Sequence, residues 1–167
     1  MAKDRSRVKQ VAVAVFDPTS NGTLATNATY GAGTTTAGGG QTGKVIIPEG
    51  ALITKVYLHT ETTVADDGDN STTISLGYTG ALAAFLAATA ISATVWAAGS
   101  HNTIVGYPNL GADGAHDSAL EVAALYAATY IAVTTDVEVL ITLNDDHAVD
   151  AGKVTVFVEY VQTGDLS

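Results

Sequence analysis

Two stretches in the last third of the chain alternate apolar and polar residues with a period of two. In residues 136–144, Val137, Val139, Ile141 and Leu143 fall on one face; in residues 153–161, Val154, Val156, Val158 and Tyr160 do the same. Successive side chains of an extended strand point to opposite sides, so this is the pattern of half-buried antiparallel strands. Asn144, Asp145, Asp146, Asp150 and Gly152 lie in the join and are turn formers, so the two strands are expected to pair as a hairpin.

Earlier segments carry the same signal. Residues 8–16 put Val11, Val13 and Val15 on one side. Residues 51–60 contain Ile53, Val56, Tyr57 and Leu58 and are entered through the turn-forming Pro48-Glu49-Gly50. Residues 72–78 place Ile74, Leu76 and Tyr78 together, with Gly77 as the mark of a bulge. Residues 102–107 and 130–134 are weaker strands. Residues 80–88, with Leu82, Phe85 and Leu86 at helical spacing, can form two helical turns, as can residues 118–126. Both are rich in Ala, whose small side chain fits strand or loop as well. Residues 30–43, YGAGTTTAGGGQTG, read as an exposed Gly/Thr-rich loop. Gly43-Lys44 is followed by Val45 and lacks the spacing of a phosphate-binding loop.

Short strands separated by turns favour a sandwich or barrel over a parallel βαβ fold. The chain has 167 residues, enough for one domain with its own core. The expectation is an all-β antiparallel sandwich over residues 11–167, with one or two short helices and a basic N-terminal arm over residues 1–10. Hydrophobic residues make up 47% of the chain, too many for a disordered polymer. None of the apolar runs approaches the ~18 residues of a membrane helix, and the start of the chain lacks the apolar segment of a secretory signal. Synthesis in a cytosol and no membrane partner are expected.

Charge is unevenly placed. Lys3, Arg5, Arg7 and Lys9 lie in the first ten residues with only Asp4 against them, a local +3 that leaves −13 on the rest of a chain of net −10. An acidic body has no basic footprint for nucleic acid, so no direct nucleic-acid contact is expected. The arm itself suits docking on a negative surface; a solvated tail is its plainer reading.

Reactive groups are sparse. The chain has no cysteine, which removes thiol nucleophiles, disulfides and Cys-ligated metals. His59, His101, His116 and His147 show no metal-binding spacing. The loops 65–70 and 144–150 carry clustered oxygens, and calcium in the turn from Asp66 to Asn70 is left open, although neither loop has the EF-hand pattern. No nucleophile elbow is present. Neither catalytic residues nor cofactors are expected; an enzyme would have to assemble its site from distant residues. Tyr57, Tyr78 and Tyr107 are candidates for a protein interface.

Residues 137–161 resemble the closing hairpin of tailed-phage virion proteins, through the pattern Ala151-Gly152-Lys153-Val154-Thr155-Val156-Phe157-Val158-Glu159-Tyr160. Residues 74–92, ISLGYTGALAAFLAATAIS, look like the same group's strand followed by an Ala-rich excursion. The resemblance covers roughly the C-terminal half and carries over no functional residue. It implies a small jelly-roll-like sandwich attached to a phage head or neck, and the closest role is that of a capsid decoration (cement) protein on the capsid exterior. Such a protein binds the major capsid protein and stabilises its shell; a symmetric homotrimer with Lys3, Arg5, Arg7 and Lys9 docked on the shell is the expectation. A neck, tail or head-fibre module is the first alternative. A carbohydrate-binding sandwich is the second; it requires exposed aromatic platforms, and Trp96 is the only tryptophan.

Overall fold

The computed structural model describes residues 9–18, 28–32, 45–105, 131–144 and 147–162. The described strands form two antiparallel sheets. They are β1 (Lys9–Phe16), β2 (Ala28–Gly31), β3 (Ile46–Ile47), β4 (Ala51–Asp66), β5 (Thr73–Tyr78), β6 (Ala81–Ala90), β7 (His101–Val105), β8 (Ile131–Ala132), β9 (Val137–Asn144) and β10 (Val149–Gln162). Sheet one has the order β1-β10-β4-β7, with β8 beside β4; sheet two has the order β2-β9-β5-β6, with β3 beside β9.

Setting aside the two-residue strands β3 and β8, the eight main strands pair in a nested way. The first pairs with the last (β1–β10), the second with the last but one (β2–β9), then β4 with β7 and β5 with β6. Alternate pairs lie in opposite sheets, and the contacts β10–β4 and β9–β5 complete each sheet. This is a jelly roll: one long antiparallel ribbon rolled until its two halves face each other.

The core comes from the inward rows. Sheet one contributes Ala14, Phe16, Ile53, Val56, Leu58, Val154, Val156 and Val158, and sheet two Ile74, Leu76, Val139, Ile141 and Leu143. Alternation in β4 slips between Ile53 and Val56, yet both are buried. The register against β10 shifts between Glu159 and Tyr160, so a bulge at Thr54–Lys55 lets both side chains face inward.

Three sequence expectations are corrected. β9 and β10 do not form a hairpin, because β9 lies in sheet two and β10 in sheet one. A period-two pattern marks which side of a strand is buried, and that mark is the same for strands side by side and strands facing each other across a core. Residues 81–90 form β6 rather than a helix, paired to β5 with Phe85 buried and 5.6 Å from Tyr78. Ala-rich composition leaves the choice to the open edge of β5, which offers hydrogen bonds along its length. A 3-10 turn spans Thr94–Trp96. The Val face of β1, finally, is its outward face, and Ala12, Ala14 and Phe16 point inward. The helix proposed at 118–126 and most of the loop at 30–43 lie outside the described residues.

Gly77 lies between two register shifts of the β5–β6 pair. A Cβ there would stand 2.1 Å from the Ala81 carbonyl oxygen and 2.5 Å from the Leu82 carbonyl carbon, both backbone atoms that cannot swing aside. Gly77→Ala is therefore expected to cost about 2 kcal/mol or more, whereas Leu82→Ala on the exposed side of β6 stays within about 0.5 kcal/mol. Urea unfolding of the two variants beside the parent chain measures both.

Candidate interaction surface

The acidic turn after β4 is a closed structural device. The Asp66 carboxylate accepts hydrogen bonds from the backbone N–H groups of Gly68 (3.1 Å), Asn70 (2.9 Å) and Thr72 (3.2 Å) and from the Thr72 hydroxyl (2.8 Å). Burial on its own pushes this carboxyl up, but the Thr72 hydroxyl and the three N–H donors outweigh it and hold the pKa at about 2, below the ordinary 3.8. Both oxygens are thus occupied in tying the turn. His147 reaches over Gly68, with Nδ1 3.7 Å from Asp67 and Nε2 3.8 Å from Asp69. Among the described residues no group of three or more His, Asp or Glu side chains is placed to hold a metal ion.

The histidines that sequence spacing kept apart do meet in one case. His59 on β4 and His101 on β7 are register partners, and their rings stack at 4.1 Å between centroids, 5° from parallel. His59 Nδ1 donates to the Ser100 carbonyl at 3.2 Å. No sequence signal announces the stack, because it depends on the pairing of β4 with β7, which are distant in the chain.

These rings belong to a larger surface, the outward face of sheet one. Registers define its rows. Val13, Phe157, Tyr57 and Thr103 run straight across β1, β10, β4 and β7, and Val15, Thr155, His59 and His101 form the next row. The third row is Val11, Glu159 and Lys55. Phe157 and Tyr57 are half-buried, and Lys55 Nζ sits 4.4 Å above the Tyr57 ring. A shallow depression of about 430 Å³ lies among Tyr57, His59, His101, Thr103 and Phe157. Val11 (52% exposed) and Val13 (46%) are the most exposed large apolar side chains among the described residues.

Charged pairs flank these rows. Lys9 bonds Glu159 at 2.6 Å, and this hydrogen bond holds the Lys9 ammonium above its ordinary value. Lys153 bonds Glu61 at 2.6 Å, and Glu61 also accepts from the Thr155 hydroxyl at 3.1 Å. The outward rows of sheet two differ in kind. They read Thr29–Thr142–Ser75 and Gly31–Leu140–Gly77, with a 3.0 Å hydroxyl contact between Thr29 and Thr142. Phe157, Tyr57 and the two stacked histidines gather on the outside of sheet one, whereas the exposed large apolar side chains are divided, Val11 and Val13 on sheet one and Ile46 and Leu82 on sheet two.

Of the four basic residues singled out near the N-terminus, Lys9 is placed at the start of β1. Lys3, Arg5 and Arg7 lie outside the described residues, as do His116 and Tyr107. Gln10 accepts a 2.9 Å hydrogen bond from the Tyr160 hydroxyl, so the arm enters the sheet beside a fixed point. Trp96 is completely buried and offers no face for stacking a sugar. No helix among the described residues is long and apolar enough to cross a membrane.

No protein-family model matches the chain, and no curated protein matches it. Solved structures do. A chain of the acidic stable capsid structure of Helicobacter pylori bacteriophage KHP30 aligns with a TM-score of 0.52 at 18% identity, covering 92% of this chain and 87% of that one. A chain of the cyanophage Pam1 capsid asymmetric unit gives 0.54 at 16% identity, covering 92% and 84%. A chain of the capsid of Ralstonia phage GP4 gives 0.51 at 16% identity, covering 93% and 86%. The class of protein this defines is a jelly-roll sandwich of the kind found in phage capsids; at these identities the likeness is one of fold.

The Asp66 turn sets a pH dependence. Its carboxyl is more acidic folded than unfolded, so its contribution to stability is complete above about pH 4 and is lost as pH falls towards 2. Asp66→Asn is expected to remove about 2 kcal/mol at neutral pH and to flatten the fall in stability between pH 4 and 2. Denaturant unfolding over a pH series, parent against variant, reads both effects.

Proposed function

We propose that this chain is a bacteriophage virion structural protein, and specifically a decoration protein that binds the outside of a shell of major capsid protein and stiffens it. The observation that carries this reading is the likeness of fold, over more than nine-tenths of the chain, to chains of three phage capsid structures. The surface is consistent with it. A decoration protein needs a rigid scaffold, a broad contact face and no chemistry, and sheet one offers flat rows of Val, Phe, Tyr and His with paired charges at their margins. Aromatic residues with a polar rim are the usual composition of a protein contact.

Bridging neighbouring shell subunits multiplies a modest contact over many copies, so each can be weak while the array holds. Self-association into a symmetric trimer, and placement on the capsid exterior after synthesis in the host cytoplasm, belong to this reading. The basic arm, with Lys3, Arg5, Arg7 and Lys9, supplies an electrostatic component against an acidic shell surface.

Copy number separates decoration from a neck, tail or head-fibre role. Quantitative mass spectrometry of purified particles is expected to find copies of order hundreds per virion; about six or twelve points to a neck or tail ring instead. Removal of residues 1–9 is expected to weaken binding to particles stripped of this protein, and to reduce the sensitivity of binding to salt. Binding that is undiminished by the deletion and indifferent to salt eliminates the arm's role.

A further inference from the structure

Sheet edges are unpaired templates, and folded proteins protect them with charges, proline, bulges or interruptions. The other described edges of this sandwich are protected. The edge beside β4 is divided between β7 and β8. The edge beside β9 is divided between β2 and β3, with residues 32–45 between them. β6 pairs with β5 through two register shifts.

β1 has none of these features. Its eight residues pair with β10 from Lys9–Val161 to Phe16–Val154 without a shift, and the sequence KQVAVAVF contains no proline and one charge, at its first position. Among the described residues nothing pairs with its other side. Every second residue of β1 therefore directs its N–H and C=O groups away from the sheet, beside Val11 and Val13 on the outward face.

The geometry points to a second copy of this chain as the strand that pairs with β1, antiparallel across a two-fold axis, so that two sheets one become a single continuous sheet. Self-complementarity selects the occupant. In an antiparallel pair, opposite residues share a face, so only registers that match odd positions with odd positions keep the Val rows together. One of these, centred on Val13, sets Val13 opposite the partner copy's Val13, Val11 opposite Val15, and Lys9 opposite Asp17 at both ends. The small Ala12 and Ala14 then meet each other on the inward side. The same register thus aligns three valine contacts and two opposite-charge pairs, each a recognised source of cross-strand stability. Two-fold contacts of this kind are isologous and close on themselves. The contact runs along the edge of sheet one, beside the rows proposed to meet a shell, and a three-fold contact cannot pair β1 with itself, so this contact joins copies, or trimers, in even numbers.

Substitution at Val13 tests it, because that side chain faces its own symmetry mate and is exposed in the single chain. The full chain is expected to sediment as an even number of copies. Val13→Lys and Val13→Glu each place like charges on the axis and are expected to weaken association roughly hundredfold. Mixing the two variants pairs opposite charges and is expected to restore it, a rescue that occurs only if both variants fold. Val13→Thr, small and β-branched, retains the parent assembly. A parent chain that sediments as one or three copies, or an assembly whose mass Val13→Lys and Val13→Glu leave unchanged, overturns the inference; so does failure of the mixture to re-associate.

Discussion

The contact between β4 and β10 organises the molecule. These are the two longest strands, they lie side by side in the middle of sheet one, and their inward residues Ile53, Val56, Leu58, Val154, Val156 and Val158 form the floor on which sheet two is laid. Stacked sheets sit about 10 Å apart with their inner side chains interdigitated. Once the rows of β4 and β10 are buried, Ile74, Leu76, Val139, Ile141 and Leu143 are the material that covers them. The bulge at Thr54–Lys55 and the shifts near Gly152 are where this long pair adjusts its alternation to keep one face apolar. At Gly152, φ is +119° and a Cβ would come within 2.7 Å of the Val64 backbone, so the close approach of the two strands requires glycine.

The character of the outer surface follows from this arrangement. Because β4 and β10 alternate, burying one set of residues sends Tyr57, His59, Thr155 and Phe157 to the outside as a block. β1, docked on β10 in unbroken register, adds Val11, Val13 and Val15 to the same block. The apolar outer face of sheet one is thus the complement of the core pattern. Sheet two carries hydroxyls, glycine and Leu140 at the corresponding positions, so its outer rows lack the aromatic block of sheet one. Its acidic turn is held by the Asp66 carboxylate, which spends its lone pairs on the turn's own N–H groups and the Thr72 hydroxyl.

Strand identity was legible wherever residues alternate in size and polarity. Val137 to Leu143 and Val154 to Tyr160 announce their faces without help, and Gly77 announces its bulge. Where alternation is between Ala and Ala, as in residues 81–90, composition is silent, and the edge of β5 makes the decision. β1 is the instructive middle case. Its valines are a strand signal and are found in a strand, yet they lie on the outward face, and the face that is buried carries Ala12, Ala14 and Phe16. Of the surface residues, Tyr57 could be named in advance as a candidate for a protein interface; the row that joins it to Val13, Phe157 and Thr103, and the stack of His59 on His101, could not.

The sequence by itself determined that this chain is built of antiparallel strands with one apolar face each, that its N-terminus is basic against an acidic body, and that it carries no local cluster of reactive side chains. Tertiary structure alone decided which strands are neighbours. Alternation encodes burial and is read within a few residues, whereas pairing is settled by whichever distant edge completes a sheet over the core. That is why β9 and β10, adjacent in the chain and similar in pattern, stand in opposite sheets, while β1 and β10, at the two ends of the described chain, lie side by side.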